Sequence, residues 1–315
     1  MQEFIPPKPF ETAVLFLVFN RLDTAKEVFA EIKKAKPPRL YIASDGAREV
    51  KHGESDIVNA VRNYILDNID WDCEVKTLFR DQNLGCKYAV SSAITWFFDN
   101  EEQGIILEDD CLPSQSFFWY CEELLNKYKN NDKVKVISGD NRFDQLTKNS
   151  SELYSFMSYA LIWGWASWRR VWQSYDVELT SISEPEFLNS KFYKNKRRRV
   201  RRYWLKIFRE MKSNKPINTW DYQLSFSIFI RDGVCIVPNT NLISNIGFGD
   251  GATHTLQSDG LSSNYPRKEI NLRKKHLEKI HINHKLEYIF ENACAIDLPF
   301  MARVIRKIIF LYNKL

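Results

Sequence analysis

The chain predicts an α/β fold in which a mostly parallel central sheet is flanked by helices. Three observations carry this expectation. Through the first third, apolar runs of strand length alternate with segments whose apolar residues fall at helical spacing. That strict alternation implies βαβ units, whose crossovers make neighbouring strands parallel. Polar and charged residues also gather directly after the apolar runs, where open parallel sheets bind their ligands.

The elements follow in order. "TAVLFLVFN" (Thr12 to Asn20) reads as a strand buried on both faces, and "RLDTAKEVFAEIKKA" (Arg21 to Ala35) as a helix. "RLYIASDGA" (Arg39 to Ala47) is a second strand ending in an Asp-Gly turn. A helix capped by Ser55 or Asp56 covers "SDIVNAVRNYILDNI". "CEVKTLFR" (Cys73 to Arg80) supplies a third strand, "GCKYAVSSAITWFFDN" (Gly85 to Asn100) a helix, and "GIILEDD" (Gly104 to Asp110) a fourth strand. Asn20, Arg21, Asp45, Arg80 and the acids Glu108, Asp109 and Asp110 all fall at predicted strand ends.

Beyond residue 112 the pattern changes. A helix is expected over Ser114 to Asn131 and a strand over Lys133 to Phe143, ending in Asp140, Asn141 and Arg142. "YSFMSYALIWGWASWRRVW" (Tyr154 to Trp172) is aromatic-rich, with Gly164 in its middle. A helix starting near Trp220 and a late strand from Val234 follow, and then a glycine-rich stretch, "GFGDGATHT". Charged helical segments from about Ser262 lead to a basic, apolar end, "LPFMARVIRKIIFLYNKL".

Composition narrows the function classes. With 315 residues, 44% hydrophobic and 14% aromatic, the chain can bury a large core. A net charge of +5 is too modest to announce nucleic-acid binding, and none is expected. The run from Ala13 to Phe19 is too short for a signal peptide or a membrane span. Six scattered cysteines without a C-x-x-C pair fit reduced thiols in a cytoplasmic protein, not a disulfide framework or a zinc site.

Three acids at a strand end repel one another, and an unpaired buried carboxylate is costly. Two readings are open. The trio could hold a hard divalent cation, Mn2+ or Mg2+, which favours carboxylate oxygens and shares its shell with phosphates. It could instead be an acidic corner neutralised by arginines or by water. The position at the carboxyl end of a parallel strand favours the cation.

An apolar strand ending in Glu-Asp-Asp resembles the D-x-D-type motif of GT-A glycosyltransferases. The comparison group is the N-acetylglucosaminyltransferase I group, and the resemblance spans Ala13 to His254. "LVFNR" and "IASDG" are similar to that family's first two strands, "WDYQ" to its W-D-D-W region, and "SNIGFGDGATH" to its closing loop. The resemblance implies a GT-A, Rossmann-like catalytic domain over residues 1–260. Its nucleotide-binding half ends near 112, its acceptor-binding half covers 113–260, and a basic helical extension occupies 261–315.

The resemblance also implies roles. Asp110 would be the principal metal ligand, and Glu108 and Asp109 would orient waters or contact ribose and sugar hydroxyls. Asp45 would accept from uracil N3–H, although an Asp-Gly turn needs no ligand. Arg21 would hold phosphate or stack on the base beside Asn20. Arg80 and Lys87 would face the diphosphate. Asp221 would be the general base of an inverting single displacement, the rival reading being a helix-capping aspartate. His254, with Asp250 as rival, would complete the metal or diphosphate site. Gly164 would let the backbone approach a sugar, and Trp163, Trp165 and Trp168 offer flat faces, at least one of them expected in the core. Asp140, Asn141 and Arg142 could contact sugar hydroxyls.

The partners expected are a UDP-sugar donor and a glycan or lipid-linked glycan acceptor, as in bacterial surface polysaccharide or lipopolysaccharide synthesis. Eight of the twelve residues from Lys191 to Arg202 are Lys or Arg. This segment is a solvated face, a site for an anionic acceptor, or a contact with an anionic membrane. The C-terminal sequence fits an interfacial helix on the inner face of the membrane, or a cover for the core or for a second subunit in a homodimer. Two other classes compete. A sugar-nucleotide nucleotidyltransferase would carry a glycine-rich phosphate loop after the first strand, and "LVFNRLDTAKE" has none. A non-catalytic anionic-glycan or nucleic-acid binding module leaves the acidic strand end unexplained.

Overall fold

The computed structural model describes residues 4–247 and 264–293. Its first half is four repeats of strand and helix: β1 (Val14–Val18), α1 (Leu22–Ala35), β2 (Arg39–Ser44), α2 (Glu54–Asp67), β3 (Glu74–Phe79), α3 (Gly85–Asn100), β4 (Gln103–Glu108) and, after a short strand β5 (Cys111–Pro113), α4 (Gln115–Tyr128). There follow β6 (Val134–Ser138), β7 (Tyr154–Met157), β8 (Trp165–Trp168), α5 (Arg169–Trp172), α6 (Glu184–Asn189), α7 (Lys191–Asn195) and α8 (Arg198–Met211). The chain continues through α9 (Asp221–Ile230), β9 (Val234–Pro238), β10 (Ile243–Asn245) and α10 (His284–Ala293).

One eight-stranded sheet runs β3-β2-β1-β4-β8-β6-β9-β7, and β5 pairs with β10 in a second, two-stranded one. Strands β1 to β4 are mutually parallel, with Leu17 of β1 opposite Glu108 of β4. β8 enters antiparallel between β4 and β6, and β7 closes the far edge antiparallel to β9. The sheet is therefore continuous across the expected division near residue 112.

β1 shows why its sequence is apolar without alternation. Val14, Phe16 and Val18 belong to one core with α1 and α4, while Leu15 and Leu17 belong to another with α3 and Trp165. Both faces are covered, so every position is apolar. A third core gathers Phe187, Phe226 and Phe229 with Val200, Trp204, Ile207, Phe208 and Met211 of α8.

The described segment 264–293 is built into this domain. Lys268 N–H donates to the Asn241 carbonyl at 2.8 Å, and Ile270 is buried in the main core. Isolated bridges tie Lys275 to Glu152 and Ile282 to Phe156. α10 lays Leu286 and Phe290 into the third core. Among the described residues no break in packing marks the expected boundary near 260.

The basic segment divides between α7 and α8. The apolar side of α8 is buried, and part of the charge is matched within the fold. Lys196, on the α7–α8 turn, reaches Glu287 at 2.5 Å and Glu291 at 3.1 Å, and Arg197 reaches Glu291 at 2.7 Å. Lys191 pairs with Asp232 at 3.1 Å. No helix among the described residues is long and apolar enough to cross a membrane. The C-terminal sequence from 294 lies outside the described residues.

Candidate active site

Four parallel strands end at one cavity of about 470 Å³. β1 delivers Asn20 and Arg21, β2 delivers Asp45, β3 delivers Arg80, and β4 delivers Glu108, Asp109 and Asp110. The opposite wall comes from the chain entering α9, with Asn218, Thr219, Trp220 and Asp221. Trp163, Asn245 and Gly247 also line it.

The acidic trio does not present three free carboxylates. The Arg21 guanidinium donates to Asp109 and, at 3.0 Å, to Asp110. Phe19 N–H adds a bond to Asp109 at 3.2 Å. The arginine-neutralised reading of this corner thus describes two of the three acids. Glu108 is different. Among the described residues no hydrogen bond or ion pair engages its carboxylate. Burial, then Asp110 and Asp109, push it up to about 8 against the pull of Arg21. Burial likewise lifts Asp109 to about 6, with Arg21 opposing. Glu108 is partly open to the cavity, and water there moderates its rise.

Even with Glu108 pushed toward its neutral form, Asp109 and Asp110 outnumber the Arg21 guanidinium that pairs with them, which leaves a surplus of negative charge. The donors are all oxygen, the set that hard divalent ions favour. Yet among the described residues no three His, Cys, Asp or Glu side chains converge as a ready metal centre. The corner therefore fits a cation that completes its shell with oxygens from a ligand.

Backbone pairing brings a second segment over this corner. β5 follows the trio directly and pairs with β10, and Ile246 N–H donates to the Asp110 carbonyl at 2.9 Å. A Cβ at Gly247 would lie 2.2 Å from Asp110 Oδ2 and 2.6 Å from Arg21 Nη1. A side chain at 247 would have to displace those two groups. Asn264 N–H returns to the Asn245 carbonyl at 2.9 Å. His254 and Asp250 lie outside the described residues.

The remaining expected residues sort by position. Asp221 lines the cavity and accepts from the Thr219 hydroxyl, and α9 carries no side-chain cap. Its carboxylate is not engaged in capping. Asp45 also lines the cavity, but it accepts from Leu84 N–H at 3.0 Å and Gly85 N–H at 3.0 Å, so it holds the start of α3. Arg80 donates to the Ser92 hydroxyl at 2.8 Å, and Asn20 to Glu54 at 2.9 Å.

Several expected residues stand away from the cavity. Lys87 is buried and donates to Glu178 at 2.8 Å, with Tyr88 on the same carboxylate. Gly164 adopts φ 60°, and a Cβ there would come within 2.5 Å of the Ile243 side chain. It makes room for β10 against β8, not for a sugar. Trp165 stacks on Trp220 at 5.8 Å in the core, and Trp168 is buried too. Of the three tryptophans only Trp163 reaches the cavity, with the Arg142 guanidinium 4.3 Å over its ring. Asp140 and Asn141 are buried, Asn141 donating to the Pro238 carbonyl at 2.7 Å.

No protein-family model matches the chain, and no curated protein matches it significantly. Similar solved structures include the mannosyltransferase PcManGT from Pyrobaculum calidifontis in complex with GDP-Man and Mn2+. It shares 11% identity at a TM-score of 0.38, covering 72% of either chain. An apo UDP-glucose pyrophosphorylase shares 8% at 0.36, covering 74% of this chain and 93% of that one. S. aureus TarS 1-349 shares 12% at 0.35, covering 54% and 52%. Overlaps this loose carry no functional weight.

Sequence reading passes over Asn218, Thr219, Asn245, Arg48 and Cys86, all of which line the cavity. A local signal existed for Thr219, two residues before Asp221. None existed for Asn245, which only the β5–β10 pairing brings to the trio.

Proposed function

We propose that the chain is a metal-dependent, inverting glycosyltransferase acting on a UDP-sugar. The observation that carries this reading is one cavity with a surplus-negative corner at the end of β4 and a second carboxylate, Asp221, on the facing wall. Asp110, with Glu108 beside it, would hold a divalent cation together with the donor's diphosphate. When bound, that cation would neutralise charge building on the departing diphosphate. Arg21 is placed to trade Asp110 for a phosphate oxygen. Asp45 and Asn20 border the space for the base and ribose, and Arg80 the diphosphate.

Asp221 would take the proton of the acceptor hydroxyl as its oxygen bonds to the anomeric carbon. The bond from that carbon to the diphosphate oxygen breaks, and its electron pair leaves on the diphosphate. Trp163 offers the sugar an apolar face. N-acetylglucosamine and a glycan acceptor are the preferred sugar and acceptor class. A nucleotidyltransferase fits less well: the turn from β1 to α1 is Phe19-Asn20-Arg21, with no glycine to cradle a phosphate.

A thermal-shift panel of UDP, GDP and CMP sugars, with and without Mn2+, tests the reading. Stabilisation by UDP compounds that requires Mn2+ supports it. Failure of every UDP compound to stabilise the chain refutes it.

A further inference from the structure

The wall opposite the acidic trio is held with unusual completeness. Thr219 N–H donates to the Ile217 carbonyl at 3.0 Å, and the Thr219 carbonyl accepts from Gln223 Nε2 at 2.8 Å. Gln223 is buried, and its amide also donates to the Val177 carbonyl at 3.1 Å. The Trp220 carbonyl accepts from the Tyr175 hydroxyl at 3.0 Å, while the Trp220 ring stacks on Trp165. Residues 219 and 220 are thereby fixed at three backbone points. The Thr219 side chain is left to make one bond among the described residues, from its hydroxyl to Asp221 Oδ1.

A carboxylate on a free χ2 torsion samples a broad, roughly two-fold range. A donor held on Oδ1 removes that freedom and leaves Oδ2 as the oxygen without a hydrogen bond among the described residues. From this geometry we infer that Thr219 is a positioning residue for sugar transfer, orienting the Asp221 carboxylate from a backbone clamped by Gln223 and Tyr175. The inference rests on the reading of Asp221 as the base. Its effect belongs in the chemical step: a misaimed base lowers turnover without weakening donor binding.

The test measures UDP release from UDP-GlcNAc, UDP-Glc, UDP-Gal and UDP-GalNAc with Mn2+, using the donor that the full chain turns over fastest. Asp221→Asn, Thr219→Val, Thr219→Ala and Thr219→Ser are compared on that donor. Thr219→Val should lower kcat about tenfold at unchanged KM, and Thr219→Ser should restore it to within about twofold. Thr219→Ala carries the same expectation if the valine variant does not fold. Val and Ala variants within twofold of the parent, a loss confined to KM, or no rescue by serine overturns the inference while leaving the base assignment standing. Full turnover by Asp221→Asn, or no release from any donor, overturns both.

Discussion

Replacing Arg21 by alanine exposes what the acidic corner is for. Arg21 is the cation that joins Asp109 and Asp110, whose side chains are 4% and 15% exposed. Removing one partner of a buried pair costs about 3–5 kcal/mol. The Arg21 side chain is itself 24% exposed, so water partly replaces it and the lower figure, about 3 kcal/mol, applies. For a chain of this size each kcal/mol moves Tm by about 2 °C, so Arg21→Ala should melt about 6 °C below the parent. If the corner takes a cation, Mn2+ becomes a substitute for the missing guanidinium. At a hundredfold excess over its dissociation constant it should return about 2.7 kcal/mol, most of the lost Tm. The parent, with Asp110 already engaged, should respond less. Differential scanning fluorimetry with Mn2+, Mg2+ and a chelator measures all of this, and Asp110→Asn added to Arg21→Ala should abolish the response. If Arg21→Ala is destabilised but indifferent to every divalent ion, with UDP present as well as without it, the corner is a structural ion pair and the metal reading falls.

Other expectations follow from neighbouring contacts. Gly247→Ala places a methyl against Asp110 and Arg21, so UDP affinity in the presence of Mn2+ should fall at least about tenfold by calorimetry. Glu54, 3% exposed, is held down to about 2, chiefly by its hydrogen bond from Arg48. Its contribution is complete above the unfolded carboxylate range near 4.3 and is lost as pH falls toward 2. Arg48 is 31% exposed, which limits that contribution to about 1–2 kcal/mol. Glu54→Gln should flatten the acid limb of Tm against pH, and an unchanged limb would refute the assignment. Lys196→Met leaves Glu287 with its bond from Ser158 N–H but without its cation, and leaves Glu291 to Arg197 and the Tyr159 hydroxyl. It should cost about 3 kcal/mol in urea unfolding, and a neutral result would mean that the cluster is not what holds α10.

The parallel half of the fold was legible because burial on both faces leaves an apolar run that only a central strand explains. The same logic located Arg21, Asp45, Arg80 and the trio at one end of the sheet. Elements built by distant pairing were not legible. β8 reads as an aromatic cluster, and its place between β4 and β6 depends on partners on either side of it in the sheet. Lys87 looked like a solvent-facing or phosphate-facing cation, since nothing local announces Glu178, 91 residues away. Gly164 reads from the sequence as a place where backbone approaches a sugar. What comes close, Ile243, is set by β10. The late segment from 264 looked like an appendage because its charges dominate the sequence, while a few residues such as Ile270 and Phe290 bind it to the cores.

The hydrogen bond between Asn245 and Asn264 gives the neighbourhood of the trio an unusual economy. Asn245 ends β10, which pairs with the strand that follows Asp110, so one backbone bond links the acids to the segment that begins at Asn264. That segment is anchored in turn through Lys268 to Asn241 and through Ile270 to the main core. A change that loosens it would be felt at the acids without touching any of them.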